Sequence, residues 1–240
     1  HSTFYMLVFI LLMFDPPIWY SMECLDNFVF NPSIYSYNVR LGTGLLYGLT
    51  ELPYYMVAVR LPYKSVDIGL SGMQFGSSFY HENEILFNLR YGQLHAYGIN
   101  LRILHVGGDG VTPIYDWALD CGVGVYHTKM PIFVTIRNFN PHILRIQLLS
   151  GMVYNYRGLQ LMVLLEYVRT KAQHIHGLLQ LSPHPLCKIT LVWSTVKFWG
   201  CKLSFNRFPL VIEFCPISHP TLGWSIYSVL SVQLSHHKVY

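Results

Sequence analysis

The sequence predicts an all-β fold, a transmembrane antiparallel β-barrel of about fourteen strands, and three observations carry that expectation. The 240 residues are 52% hydrophobic and 15% aromatic but only 12% charged, which is about half the charge of an ordinary soluble domain. Beyond residue 20 no apolar run approaches the ~18 residues of a membrane-crossing helix, so the apolar surplus is dispersed through short segments. Within those segments apolar and polar residues alternate with a period of two, and the charges fall on one side each time. Soluble sandwiches and barrels also alternate, but they coat their outside with charge, and this chain has too little to do so. The inverted arrangement, with lipid outside and water or small side chains inside, fits the composition.

Taken in order, the alternation and the turn signals place strands at 36–47, 53–61, 64–73, 84–91, 94–106, 114–127, 130–138, 146–156, 158–169, 172–182, 187–197, 200–207, 209–215 and 222–235. In "SVDIGLS", Val66, Ile68 and Leu70 oppose Asp67 and Gly69; in "HAYGINLRIL", Tyr97, Ile99, Leu101 and Ile103 oppose Ala96, Gly98, Asn100 and Arg102. "IYDWALDCGVGVYH" sets Tyr115, Trp117, Leu119, Cys121, Val123 and Val125 against Asp116, Ala118, Asp120, Gly122 and Gly124. A helix would mix these two sets around its circumference, and the glycines would weaken it further. "LQLMVLLEYV" sets Leu161, Val163 and Leu165 against Gln160 and Glu166, and "CKITLVWST" sets Ile189, Leu191 and Trp193 against Lys188, Thr190 and Ser194. Turn signals between the runs include "LPYK", "YGQ", "GGDG", "NFNPH", "YRG", "SPHP" and "CPISHP". An even number of antiparallel strands of about ten residues satisfies closure, because an open edge in lipid would strand backbone N–H and C=O groups.

Residues 1–24 read as a signal or targeting segment, since "YMLVFILLMF" at 5–14 has signal-peptide length, although no Lys or Arg precedes it and no clean small-residue cleavage site follows. Residues 25–35 form a short lead-in, and residues 36–240 form the barrel. Cys24 lacks the small residues expected just before a lipidated cysteine, and five cysteines, an odd number, do not suggest a disulfide framework.

"FNPS" at 30–33 resembles the Asn-Pro-Ala signature near the start of outer-membrane proteins of the long-chain fatty-acid transporter (FadL-like) superfamily. "YGLTELPYYMVAVRLP" (47–62), "FGSSFYHENEI" (75–85), "YDWALDCGVGVYH" (115–127), "IRNFNPH" (136–142) and "HPTLGWSIYSVLSVQL" (219–234) resemble, in order and spacing, the PorV/PorQ-like branch of that superfamily over roughly residues 28–236. The residues that carry the likeness are Asn31, Pro32, Glu51, Leu52, Pro53, Glu82, Asn138, Pro141, Leu222 and Gly223. The resemblance implies a bacterial outer-membrane location and a 14-stranded barrel. It also implies one of two roles: a scaffold or shuttle that holds a secretion-system or exported protein partner, or a passive transporter of hydrophobic or amphipathic molecules. A transporter should carry an N-terminal plug, a kinked wall strand and an apolar lumen pocket; a shuttle should carry a loop platform at the outer rim. Few residues precede the first strand to form a plug, and the connection at 74–83 is the expected contact loop.

The alternation places Asp67, Asn100, Arg102, Asp116, Asp120, Glu166, His174, His176 and Lys188 on the interior face. Arg40, Arg60 and Arg90 recur at interior or strand-end positions and are expected to pair with carboxylates such as Asp67, Glu84 and Asp116, or to line a path for anionic solutes. Catalytic function is not expected. Glu82, Glu84, Asp116 and Asp120 share faces only through strand spacing, without convergent groups around them. His174 and His176 lack a third metal ligand fixed by the sequence, and "GGDG" lacks the Lys-Ser/Thr and helix of a phosphate loop. No cofactor is implied. A formal charge of +4 spread over strands and turns makes no nucleic-acid stripe, so the expected surroundings are outer-membrane lipids, with a hydrophobic ligand or exported protein as partner.

Overall fold

A computed structural model describes residues 31–33, 38–45, 50, 53–127, 129–139, 146–168, 173–195, 199–219 and 223–233. The expected targeting segment lies outside these residues, as do Glu51, Leu52, Pro141 and Leu222. Fourteen strands follow one another: β1 (Asn38–Leu45), β2 (Pro53–Tyr63), β3 (Val66–Gly76), β4 (His81–Tyr91), β5 (His95–Gly108), β6 (Val111–Val125), β7 (Ile132–Phe139), β8 (Gln147–Tyr156), β9 (Leu159–Val168), β10 (His174–His184), β11 (Cys187–Ser194), β12 (Trp199–Arg207), β13 (Leu210–His219) and β14 (Gly223–Gln233). Each pairs antiparallel with the next, and β1 pairs with β14 from Asn38↔Gln233 to Leu45↔Ile226, closing the barrel. Closure gives every wall strand two neighbours, as a lipid environment requires. Among the described residues no helix is long and apolar enough to cross a membrane.

Period-two alternation becomes the two faces of the wall. Along β4 to β6 the outer row includes Ile85, Phe87 and Leu89, then Ile99, Leu101 and Ile103, then Trp117 and Val123, all exposed. The inner row holds Asn88 and Arg90, Asn100 and Arg102, and Asp116, Ala118 and Asp120, all buried. The interior is itself mixed. Charged and amide side chains crowd β3 to β7 and recur as Glu166, His176, Lys202 and Glu213, while an apolar cluster joins Tyr54, Met56 and Ala58 of β2, Phe75 of β3, Leu86 of β4 and Phe133 of β7 to Leu149, Val153, Met162, Leu164, Leu178, Val192, Ile217 and Val229 on β8 to β14.

The turns β2–β3, β4–β5, β6–β7, β8–β9, β10–β11 and β12–β13 share one end of the barrel, where β1 also begins and β14 ends. Lys64 (φ 57°) and Arg157 (φ 42°) take left-handed backbone in two of these turns. Three sequence expectations change. Strand β4 starts at His81, so the expected contact loop of 74–83 contracts to residues 77–80. The "CPISHP" signal lies mostly within β13, which runs to His219; Pro216, lacking an N–H, sits where the β12–β13 ladder skips from Leu203↔Phe214 to Gly200↔Ile217. Strand β7 carries one extra residue against β6, between Cys121↔Ile136 and Leu119↔Phe139, and Asn138 takes φ 56° there. That bulge turns two consecutive side chains, Arg137 and Asn138, into the interior.

In β10, His176, Gly177 and Leu178 are buried in succession. The cause lies outside the wall: a Cβ on Gly177 would meet the Trp193 indole at 2.1 Å, so the ring of Trp193, paired with Gly177 across β10–β11, covers the bare backbone.

Candidate functional site

Two adjoining features occupy the interior beside β3 to β7: a belt of paired charges and the lead-in residues Asn31, Pro32 and Ser33. The belt arises because antiparallel register sets inner residues of neighbouring strands side by side. Asp67↔Arg90 pairs β3 with β4, Asn88↔Asn100 pairs β4 with β5, and Asn100↔Asp120 pairs β5 with β6. Asp67 Oδ2 lies 2.9 Å from Arg90 Nη1 and 4.0 Å from Arg60 Nη2. Asn88 Nδ2 donates to Asn100 Oδ1 at 2.6 Å. Arg102 donates to Glu84 Oε2 from Nε at 3.0 Å and Nη2 at 2.5 Å, and to Asn138 Oδ1 from Nη1 at 2.7 Å. Asp120 completes the group with Arg102 at 3.7 Å and Arg137 at 3.5 Å, and accepts the Asn138 N–H at 2.9 Å. Charges this deeply buried persist only when paired and hydrogen-bonded, which is what register and bulge together supply.

The lead-in is stitched to this belt. Arg90 Nε donates to the Ser33 carbonyl at 2.7 Å and Asn88 Nδ2 to the Pro32 carbonyl at 3.3 Å. Ser33 Oγ lies 2.8 Å from Asn31 Oδ1 and 2.7 Å from Tyr126 Oη, and Asn31 Nδ2 donates to Tyr126 Oη at 3.3 Å. Glycines make the room: a Cβ at Gly98 would stand 1.9 Å from the Pro32 carbonyl oxygen, and one at Gly122 would stand 2.9 Å from Pro32 Cγ. Asn31, Pro32 and Ser33 thus do reach into the barrel, where the sequence offered little prospect of a plug. Intrachain hydrogen bonds to the wall, rather than length, hold them there.

Each sequence-selected residue can now be placed. Asp67, Asn100, Arg102 and Asp120 belong to the belt. Asp116 is buried, with its Oδ1 accepting the Trp117 N–H at 2.8 Å; Arg60 and Arg90 pair with Asp67, and Arg102 pairs with Glu84 and Asp120. Glu166 and His176 form a separate pair at 2.9 Å on β9 and β10, with His174 half-buried beside them and facing Glu166 in register. Lys188 is half-buried on β11. Glu82 is buried and accepts a hydrogen bond from Tyr80. Pro53 opens β2, and Gly223, at φ 89°, opens β14. Another ion cluster escaped the alternation argument: Arg40 of β1 reaches Glu213 of β13 at 2.9 Å, and Lys202 of β12 lies 3.5 Å from the same carboxylate. Ala118 packs with Leu104 and Val106 in a small apolar cluster and is no site for a tolerated charge.

The fold is shared with solved outer-membrane barrels. The outer membrane protein Omp33 of Acinetobacter baumannii superposes with a TM-score of 0.56 at 7% identity, over 82% of this chain and 96% of that one. A mutant of the Rh. blastica porin superposes with a TM-score of 0.46 at 7% identity, over 81% of this chain and 97% of that one. No family model matches the chain, and neither does any curated protein.

Proposed function

We infer that the chain is a bacterial outer-membrane barrel of transport type, and that its cargo is small hydrophobic or amphipathic molecules. One observation carries the reading: an amphipathic interior, which holds both a charged belt on β3 to β7 and an apolar cluster with members on β2 to β4 and β7 to β14, inside a wall whose outer face is apolar. Two further features agree with it. Residues Asn31–Ser33 lie in the interior like a short plug, and β7 carries its extra residue beside the belt. An amphiphile would lay its polar head against the belt and its tail against the apolar cluster. The relation to the long-chain fatty-acid transporter superfamily is part of this proposal, as is the outer-membrane location. The fold shared with the outer membrane protein Omp33 supports the membrane-barrel part of the reading.

Liposome assays decide it. Vesicles carrying the barrel should take up a fluorescent fatty acid faster than empty vesicles, without swelling in a neutral sugar. Swelling without fatty-acid uptake would make it a general pore, and inertness in both assays would remove transport altogether.

The scaffold or shuttle reading, with an exported or secretion-system protein as partner, draws on the PorV/PorQ-like resemblance and on one observation: Phe79, in the short β3–β4 loop, is 73% exposed. Loss of a co-purifying exported protein on Phe79→Ser, with uptake unchanged, would favour it.

A further inference from the structure

Exposed cations among the described residues stand in or beside the turns at one end of the barrel. The exposed Lys and Arg side chains among the described residues are Lys64 in the β2–β3 turn, Lys129 between β6 and β7, Arg157 in the β8–β9 turn and Arg207 at the end of β12. All four stand at the end where β1 begins and β14 ends. Beside the two remaining turns of that end stand exposed histidines, His95 opening β5 and His184 ending β10. No Asp or Glu occurs in any of these six turns. Of the described acidic residues, Asp67, Glu82, Glu84, Asp116, Asp120, Glu166 and Glu213 are buried, and Asp109 is exposed in the β5–β6 turn at the opposite end.

The position of these cations relative to the outer wall says what they meet. Lys64 Nζ stands 5.5 Å from the centroid of the Tyr63 ring and the Arg157 guanidinium 5.4 Å from that of Tyr156, both rings being exposed on the outer face. Exposed Met130 adjoins Lys129 and exposed Phe208 adjoins Arg207, while Tyr91 and Tyr97 flank the His95 turn on the outer face. Amphipathic rings settle at headgroup depth, and a cation just beyond a ring then sits at the depth of lipid phosphates. The cations are also distributed around the ring of turns. A nucleic-acid strand or an acidic protein segment would call for a contiguous stripe instead, whereas lipids surround the barrel on every side.

We propose that this rim binds the phosphate headgroups of anionic phospholipids. The inference rests on the reading of the chain as a membrane barrel. Its test counts lipids directly. The purified barrel is equilibrated in mixed micelles of phosphatidylglycerol and phosphatidylcholine, and the lipids it keeps are identified by native mass spectrometry, beside a variant carrying Lys64→Gln, Lys129→Gln, Arg157→Gln and Arg207→Gln together, and beside Arg157→Gln alone. The parent should keep phosphatidylglycerol in preference. That preference should fall about five-fold per charge removed and shrink at high salt. Equal retention of the two lipids by the parent would overturn the proposal, as would a preference undiminished in the four-fold variant, or one matched by a short DNA oligonucleotide competing for the same sites. A gel shift between unboiled and boiled samples separates this outcome from failure of the underlying reading: without it in the parent, the membrane barrel itself is wrong, and with it only the lipid proposal is at stake.

Discussion

Asn138 gives its backbone N–H to the Asp120 carboxylate at 2.9 Å while its side-chain oxygen accepts from Arg102 at 2.7 Å. One residue in left-handed backbone, at the point where β7 bulges, thereby ties together the carboxylate and a guanidinium that charge attraction alone leaves 3.7 Å apart.

Removing that carboxylate should be costly. Asp120→Ala leaves Arg137 without this carboxylate and the Asn138 N–H without its acceptor, and should destabilise the barrel by about 3–5 kcal/mol, as when one partner of a buried pair is lost. Asp120→Asn keeps an acceptor for the N–H and should cost less. Urea titration of the barrel refolded in vesicles, followed by tryptophan fluorescence, measures both; equal costs would show that the acceptor for the Asn138 N–H contributes nothing beyond the charge.

Depth on the outer wall should be readable by arginine. Leu101 lies midway along β5, between Phe87 and Leu119 of its neighbours, whereas Tyr63 ends β2 at a turn. Leu101→Arg should cost ~2–4 kcal/mol and Tyr63→Arg ~0–1 kcal/mol in vesicles, following the fall from midplane to interface. Comparable penalties at the two positions would contradict a lipid-facing wall.

Gly98 is the place to dislodge the lead-in. A valine there would drive its side chain into the Pro32 carbonyl, since a single Cβ would already stand only 1.9 Å from its oxygen. In Ser33→Cys, the thiol should be shielded from a water-soluble maleimide, and adding Gly98→Val should make it react at least ten-fold faster, an opening worth ~1.4 kcal/mol. Unchanged labelling would mean that the segment does not depend on its glycine seat.

Trp193 should matter more to the sheet than an exposed residue ordinarily does. Trp193→Ala uncovers Gly177 and should cost about 0.2–1 kcal/mol more than the same change at Trp117, which lies across from Ile103 rather than a glycine. Paired urea titrations of the two variants check it.

The sequence made the wall legible because alternation is a local signal: which residues of β4, β5 and β6 face inward follows from neighbours two positions away. Arg137 and Asn138 broke that rule. Their common direction depends on a one-residue bulge, and the only local sign of it is an asparagine, a residue that tolerates left-handed backbone, among strand formers. The contact of Pro32 with Gly98 and Gly122, and that of Arg40 with Glu213, join residues far apart in the chain, and a single sequence carries no pattern that links them. Gly98 and Gly122 were legible as small interior residues, but not as a seat.

The pairing of β1 with β14 has a consequence for biogenesis. The first strand of the wall finds its second hydrogen-bonding neighbour only in the last, and the inward guanidinium of Arg40 meets its carboxylate on β13. A nascent chain emerging from its amino terminus therefore carries an unmated edge until the last strand of the wall has been made. Partial walls would be poor lodgers in a bilayer. On the proposed membrane reading, insertion is consequently expected to be concerted and late, with the zipping of its two extreme strands as the committing event.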